Sequence, residues 1–219
     1  MTPPQPPQAV VFDNDGLLCD TEVAWSRAEE RLFAGYGREF SPEHKHQLMG
    51  SSGVRAGALL AEWLGQSGRD RELMAEVVEY VHEEVAHGVE LRPGARELLE
   101  ALTVAGIAIA LASNSSRRFV DEVLDRAGIA ALLPVTVAAH EVAEPKPAPH
   151  VYLEAVRLLD ADPRRSVALE DSPIGAAAAR AAGMYVIGVP SVDGVTLAPP
   201  ADVVLASLAD RRVWSICGL

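Results

Sequence analysis

Cysteine is almost absent, with only Cys19 and Cys217 among 219 residues. Two thiols make neither a disulfide framework nor a zinc quartet, so both read as reduced and without a functional part. Long apolar runs are missing as well. The longest nearly uninterrupted stretch, Gly106 to Ala112, falls far short of the ~20 residues a membrane helix needs, and no membrane partner is expected. Residues Met1 to Gln8 are rich in Pro and Gln, with no basic flank and no apolar stretch. They read as neither a secretory signal nor a transit peptide, and the expectation is a loose tail on a cytoplasmic protein. Positive charge is scarce: 19 basic residues face 31 acidic ones, for a formal charge of −12. Duplex nucleic acid would meet net repulsion with no basic stripe to offset it. An anionic small substrate would be repelled too, unless its site supplied a cation.

What the chain does have is an apolar fraction of 49% beside 23% charged residues, ordinary for a protein that buries a core. Ala9-Val10-Val11-Phe12 is a β-branched and aromatic run that stops at Asp13-Asn14-Asp15-Gly16, as a buried strand entering a loop would. From Thr21 to His87 the rhythm is helical. Trp25, Ala28, Leu32 and Tyr36 fall at helical spacing, as do Leu73, Val77, Val81 and Val85, with turns near Gly35 to Gly37, Gly50 to Gly53 and Gly65 to Gly68. After Arg92-Pro93-Gly94 strands and helices alternate. Helices are predicted at 94–104, 117–127, 148–159 and 173–182, and strands at 107–112, near 134–138, at 166–170 and at 184–189. Such alternation implies a parallel sheet covered on both faces. Ser172 is placed as an N-cap, Pro173 in the first turn and Gly183 just past the end of the last helix, and Gly106 and Gly128 close two earlier ones.

The strand at 9–12 could hardly stand alone, so it is expected to join the later sheet. The helical stretch is then an insertion, giving a core of residues 1–19 and 89–219 and a helical domain of residues 20–88. Its two connections would lie side by side and could hinge.

In an open parallel sheet, ligands collect at the carboxyl ends of the strands. Those ends offer Asp13 and Asp15, then Ser113 and Asn114, then Lys146, then Glu170 and Asp171. Singly, each cluster also reads as an ordinary turn, loop charge or helix start. Together they converge. Carboxylates meeting at one spot repel by ~4 kcal/mol per close pair at an effective dielectric of 20, which a divalent cation relieves. Hard oxygen ligands with room for waters and a phosphate suit Mg²⁺, with Asp13, Asp15, Asp171 and Glu170 as the candidate metal set. Phosphate monoester hydrolysis is among the slowest uncatalysed reactions, so a covalent intermediate is worthwhile. Asp13 is the candidate nucleophile and Asp15 the acid and base. Ser113 and the Asn114 backbone N–H would bind phosphoryl oxygens, with Lys146 neutralising charge that builds in the transition state.

The segments FDNDGLLCDTE, LASNSS, EPKPAPHVYLEA and ALEDSPIGAAAARAAGM resemble the haloacid dehalogenase-like hydrolase superfamily, in the subgroup with a helical cap after the first strand. The resemblance covers residues 9–190. It implies an α/β fold with a Rossmann-like parallel-sheet core and an inserted all-helical cap, Mg²⁺, and phosphoryl transfer through an aspartyl phosphate on Asp13. It also implies that Asp15 gives its backbone carbonyl to the metal while its side chain works as acid and base, and that Thr21 sits at the hinge. True dehalogenases lack the second aspartate of the first motif, so Asp15 disfavours carbon–halogen cleavage. β-Phosphoglucomutase-like members carry a histidine where ungapped alignment puts Trp25, which favours a phosphatase over a mutase. Members that form a Schiff base with a cap lysine would need Lys45 or a neighbour, and the surrounding HKHQLMG gives that no support. Glu144-Pro145 and His150 depart from the third motif while leaving its lysine in place.

Substrate choice is expected on the cap, with Glu22, Trp25, Met49, Ser51 and Arg55 as candidates because they flank the hinge and the 50–53 loop. The expected protein is a monomeric Mg²⁺-dependent phosphatase acting on a small phosphorylated metabolite such as a sugar or polyol phosphate. A phosphomutase is the nearest alternative. A phospho-accepting receiver module is the alternative of another class, disfavoured by Asp15 and by the insertion.

Overall fold

The fold is taken from a computed structural model of the chain, which describes residues 1–48, 51, 53–192 and 194–219. Met49 and the loop position Gly50 lie outside the described residues. Two compact units emerge, one of Met1–Asp20 with Val89–Leu219, the other of Thr21–Gly88.

In the first unit β1 (Ala9–Phe12) is followed, after the excursion, by α5 (Ala95–Val104), β2 (Ala108–Ala112), α6 (Arg117–Ala127), β3 (Val135–Val137), α7 (His150–Leu158), β4 (Ser166–Glu170), α8 (Pro173–Ala181), β5 (Tyr185–Gly188), β6 (Val203–Val204) and α9 (Arg211–Ile216). The strands form one sheet in the order β3-β2-β1-β4-β5-β6, and every pairing is parallel. β1, the first in sequence, therefore lies in the middle. Its four residues are wholly buried, as a strand covered on both faces must be. One face is built from small residues. Val11, Ala110, Ala112, Ala168 and Val186 share a core cluster with Tyr152 and Val156 of α7 and Ala176 and Ala179 of α8, and the alanines let both helices approach the sheet closely.

Phe12 pairs with Leu111 on one side and Leu169 on the other, so three central strands end level. Asp13 extends the ladder by donating its N–H to the Leu169 carbonyl (3.0 Å), and Ser113 does the same toward Val137 (2.9 Å). The register thus delivers the polar strand tips to one edge. Ser172 caps α8 by accepting from the Gly175 N–H at 3.0 Å, with Pro173 opening the helix. Gly106, Gly128 and Gly183 all sit at positive φ after helix ends.

The connecting segments run antiparallel. Cys19 bridges to Leu91, Asp20 donates to the Glu90 carbonyl (2.8 Å), Arg92 donates to the Leu18 carbonyl (2.9 Å), and Arg92 Nη1 stands 3.8 Å from Asp20 Oδ2. The first residues are less loose than their composition suggests. Pro7 is buried, Gln8 donates to Arg165 (2.7 Å) and accepts from Asp162 (2.8 Å), because the start of β1 needs partners. β6 and α9 have no counterpart in the sequence reading: two residues of strand and six of helix are too few to show a period.

The second unit holds α1 (Glu22–Gly35), α2 (Pro42–Leu48), α3 (Gly53–Leu64) and α4 (Asp70–Ala86). α4 packs on both α1 and α3, and its buried stripe includes Leu73, Val77, Val81 and Val85, the spacing read from the sequence. α1 buries Ala28, Glu29, Leu32 and Phe33, whereas Trp25 and Tyr36 are only half-buried. Phe33, Phe40, His44 and Trp63 form a ring cluster with centroid separations of 4.6 to 6.4 Å. Among the described residues no helix is long and apolar enough to cross a membrane.

Candidate active site

Lys146 is the hub of the strand-tip edge. Its Nζ lies 2.6 Å from Asp13 Oδ1 and 2.6 Å from Glu170 Oε1, and 4.8 Å from the centroid of the Tyr152 ring. Burial works to lower this ammonium, but the charges of Asp13 and Glu170 outweigh it and hold Lys146 above its ordinary value. The lysine is cationic. Its backbone is fixed by Asn114, whose side-chain oxygen accepts from the Lys146 N–H (2.8 Å) and whose amide donates to the Lys146 carbonyl (3.1 Å). The Asn114 side chain thus clamps the lysine loop.

Glu170 is heavily engaged. Oε1 accepts from Lys146 and from the Tyr152 hydroxyl (2.8 Å), while Oε2 accepts from the N–H groups of Asp171 and Ser172 and from the Ser172 hydroxyl, each at 3.1 Å. Burial and the neighbouring carboxylates push the Tyr152 phenol well up, so it stays a donor. α8 makes room for this carboxylate at Gly175, where a Cβ would fall 1.6 Å from Glu170 Oε1. Gly16 plays a similar part in the first loop. Its φ is +82°, and a Cβ there would lie 2.2 Å from Asp171 Oδ2, the oxygen that accepts from Ser191 Oγ at 2.6 Å.

Asp13, Glu170 and Asp171 each present an oxygen within 4.8 Å of the other two. Burial above all, reinforced by Glu170 and Asp15, pushes the Asp13 carboxyl up to about 8 against the opposing pull of Lys146. One ammonium is too little positive charge for three buried carboxylates, and hard oxygens in that arrangement suit a small divalent cation. The residues present therefore fit a metal. The Asp15 side chain is turned elsewhere: Oδ2 accepts from Ser115 Oγ at 2.7 Å and Ser113 Oγ at 3.3 Å. Cys19 is buried, and burial with the charges of Asp15 and Asp13 drives its thiol far up. It is no nucleophile.

Of the residues expected from the sequence, Asp13, Asp15, Ser113, Asn114, Lys146, Glu170 and Asp171 thus form one hydrogen-bonded and carboxylate cluster. Glu22 and Trp25 lie on α1, Arg55 is exposed on α3, and Ser51 lies between α2 and α3. Lys45 of α2 stands 2.9 Å from Glu22 and 3.1 Å from Glu29. Burial opposes its charge, yet the two glutamates keep it above its ordinary value. An ammonium so held is unsuited to Schiff-base chemistry. Three partners escaped the sequence reading. Ser115 stood inside LASNSS and Tyr152 inside EPKPAPHVYLEA, whereas Ser191 follows the last long strand with no signal around it.

Residues 10–189 match the model of the haloacid dehalogenase-like hydrolase family. The chain belongs to this family and is an enzyme of that hydrolase class. Among its relatives, it is 32% identical to hexitol phosphatase B of Escherichia coli (strain K12) over the whole of both chains. It is 36% identical to the mitochondrial (DL)-glycerol-3-phosphatase 1 of Arabidopsis thaliana, across 93% of this chain and 71% of that one. Among solved structures, CbbY from Rhodobacter sphaeroides in complex with phosphate superposes with a TM-score of 0.79 at 32% identity, covering 93% of this chain and 96% of that one.

Proposed function

We propose that the protein is a Mg²⁺-dependent phosphatase that hydrolyses a small sugar or polyol phosphate through an aspartyl phosphate on Asp13. The observation that carries this reading is the pairing of Asp13 with Lys146 at 2.6 Å beside a second aspartate, Asp15, held on hydroxyl groups. A nucleophile, a charge-neutralising cation and a separate proton carrier then share one strand edge. The names of the relatives support the substrate class.

Asp13, Asp171 and Glu170, with the Asp15 carbonyl, would hold the cation. When bound, it supplies positive charge to the carboxylates and to a phosphoryl oxygen. An Asp13 carboxylate oxygen attacks phosphorus as the ester P–O bond breaks, and protonated Asp15 gives its proton to the leaving alkoxide. Lys146 and the Ser113 hydroxyl take up charge on the phosphoryl oxygens. Asp15, now a carboxylate, accepts a proton from water as the water oxygen bonds to phosphorus and the Asp13–phosphorus linkage breaks. Inorganic phosphate leaves and Asp13 is restored.

Residues 20–88 act as a helical cap in this proposal, with Glu22, Trp25, Ser51 and Arg55 reading the part of the substrate beyond the phosphate. The paired connections at 18–20 and 90–92 would be its hinge. A panel of phosphorylated metabolites with Mg²⁺ and free-phosphate detection tests the reading. Release of phosphate from sugar or polyol phosphates is expected. Isomerisation of a sugar phosphate without phosphate release would instead favour a mutase, and no turnover of any ester would remove the proposal.

A further inference from the structure

We infer that Ser115 is a positioning residue that sets the orientation of the acid and base Asp15, an inference that rests on the phosphatase reading above. Ser115 Oγ donates to Asp15 Oδ2 at 2.7 Å, closer than Ser113 Oγ, which donates to the same oxygen at 3.3 Å. The two serines are not equivalent. Ser113 Oγ accepts the Ser115 N–H at 3.0 Å and has one proton to give. Once a phosphoryl oxygen accepts the hydrogen bond from that hydroxyl, Ser113 can no longer donate to Asp15, and Ser115 continues to do so.

The backbone of Ser115 is well placed for the task. Its N–H is held by Ser113 and its carbonyl accepts from the Ala139 N–H at 3.2 Å. The next residue, Ser116, is the N-cap of α6, its side chain accepting from the Phe119 N–H at 3.3 Å. A hydroxyl anchored at both ends and at a helix start fixes the carboxylate to which it donates. Orientation of this kind matters to a proton donor because transfer needs hydrogen-bond reach to the departing oxygen. Ser115 does not itself exchange a proton in the reaction.

The test compares wild type with S115A, S115C and S115T on phosphate esters whose leaving groups differ in basicity: a dinitrophenyl phosphate, a phenyl phosphate and a sugar phosphate. Cysteine keeps the volume but donates poorly, and threonine keeps the hydroxyl. For S115A and S115C, kcat/KM is expected to fall about 10- to 100-fold on esters whose leaving oxygen needs a proton, the loss typical of a hydrogen bond to a group that becomes charged as it gives up its proton. On dinitrophenyl phosphate, which needs no proton, the fall should be less than about threefold, and S115T should stay within about threefold of wild type throughout. For a wild type that turns over the sugar phosphate alone, a large loss in S115C with retention in S115T is the supporting result, and loss in both overturns the inference. Equal losses on all esters, or none, would leave Ser115 a structural residue and overturn this inference while the phosphatase reading stands. A wild type that hydrolyses none of them overturns the phosphatase reading and this inference with it.

Discussion

Replacing Lys146 by Met removes one positive charge at nearly constant volume from the most crowded point of the site. The ammonium is in contact with Asp13 and Glu170 at 2.6 Å each, and with Asp171 these carboxylates present oxygens within 4.8 Å of one another. At an effective dielectric of 20, each contact has a gross attraction of about 6 kcal/mol. The cost of desolvating the lysine offsets much of this, so deleting one partner should cost about 3 to 5 kcal/mol net in the metal-free protein. That cost depends on pH with a definite sign. Asp13 titrates at about 8 in the folded site against about 3.9 in an unfolded chain, so between these values the folded state holds more protons and loses stability as pH rises. Without the lysine this loss deepens. Urea unfolding in chelator should therefore show a smaller difference between wild type and K146M near pH 5, where only the Asp13 contact is neutralised, than above pH 8. Added Mg²⁺ should return part of it, because a ligand bound to the folded state stabilises that state. An equal loss at both pH values, or one below about 1 kcal/mol at the higher pH, would refute the charge argument.

Gly175→Ala should force Glu170 away from Lys146 and Tyr152, since the new methyl would sit 1.6 Å from Oε1. Thermal melting should report a loss of about 1 to 3 kcal/mol, with phosphate release reduced alongside. Burial, opposed by Lys45, pushes Glu29 up to about 7 from 4.5, so stability should decline as pH rises between these values by something of the order of 3 kcal/mol. In Glu29→Gln that slope should flatten, as followed by urea midpoints at pH 5 and 8. Chelation of divalent cations should abolish phosphate release, and Mg²⁺ should restore it; full activity in chelator would contradict the reading of the carboxylates.

Much of the core was legible because the chemistry that marks a buried parallel strand is local. Ala9-Val10-Val11-Phe12 and Ser166 to Glu170 carry their own burial, and each is followed by polar residues at its carboxyl end, so the strand tips could be named before the register was known. The Leu73-Val77-Val81-Val85 stripe was legible for the same reason. Contacts set by register or by a single atom were not. Nothing local shows that the Asn114 amide clamps Lys146, that Ser191 reaches Asp171, or that the Tyr152 hydroxyl meets Glu170 while its ring lines the core. The anchoring of Pro7 and Gln8 was hidden too, since it comes from residues 162–165 and 218. Periodicity at Trp25 and Tyr36 overstated burial, because the face of α1 that packs is turned toward Glu29 and Phe33.

The claim that Asp13 carries the phosphoryl group is tested most directly by rapid acid quench of the enzyme turning over a substrate labelled in its phosphate, followed by peptide mapping. Label on the peptide containing Asp13, lost at alkaline pH and absent in Asp13→Asn, is the expected result. Continued turnover with no labelled protein, or with the label on Ser113, would contradict it.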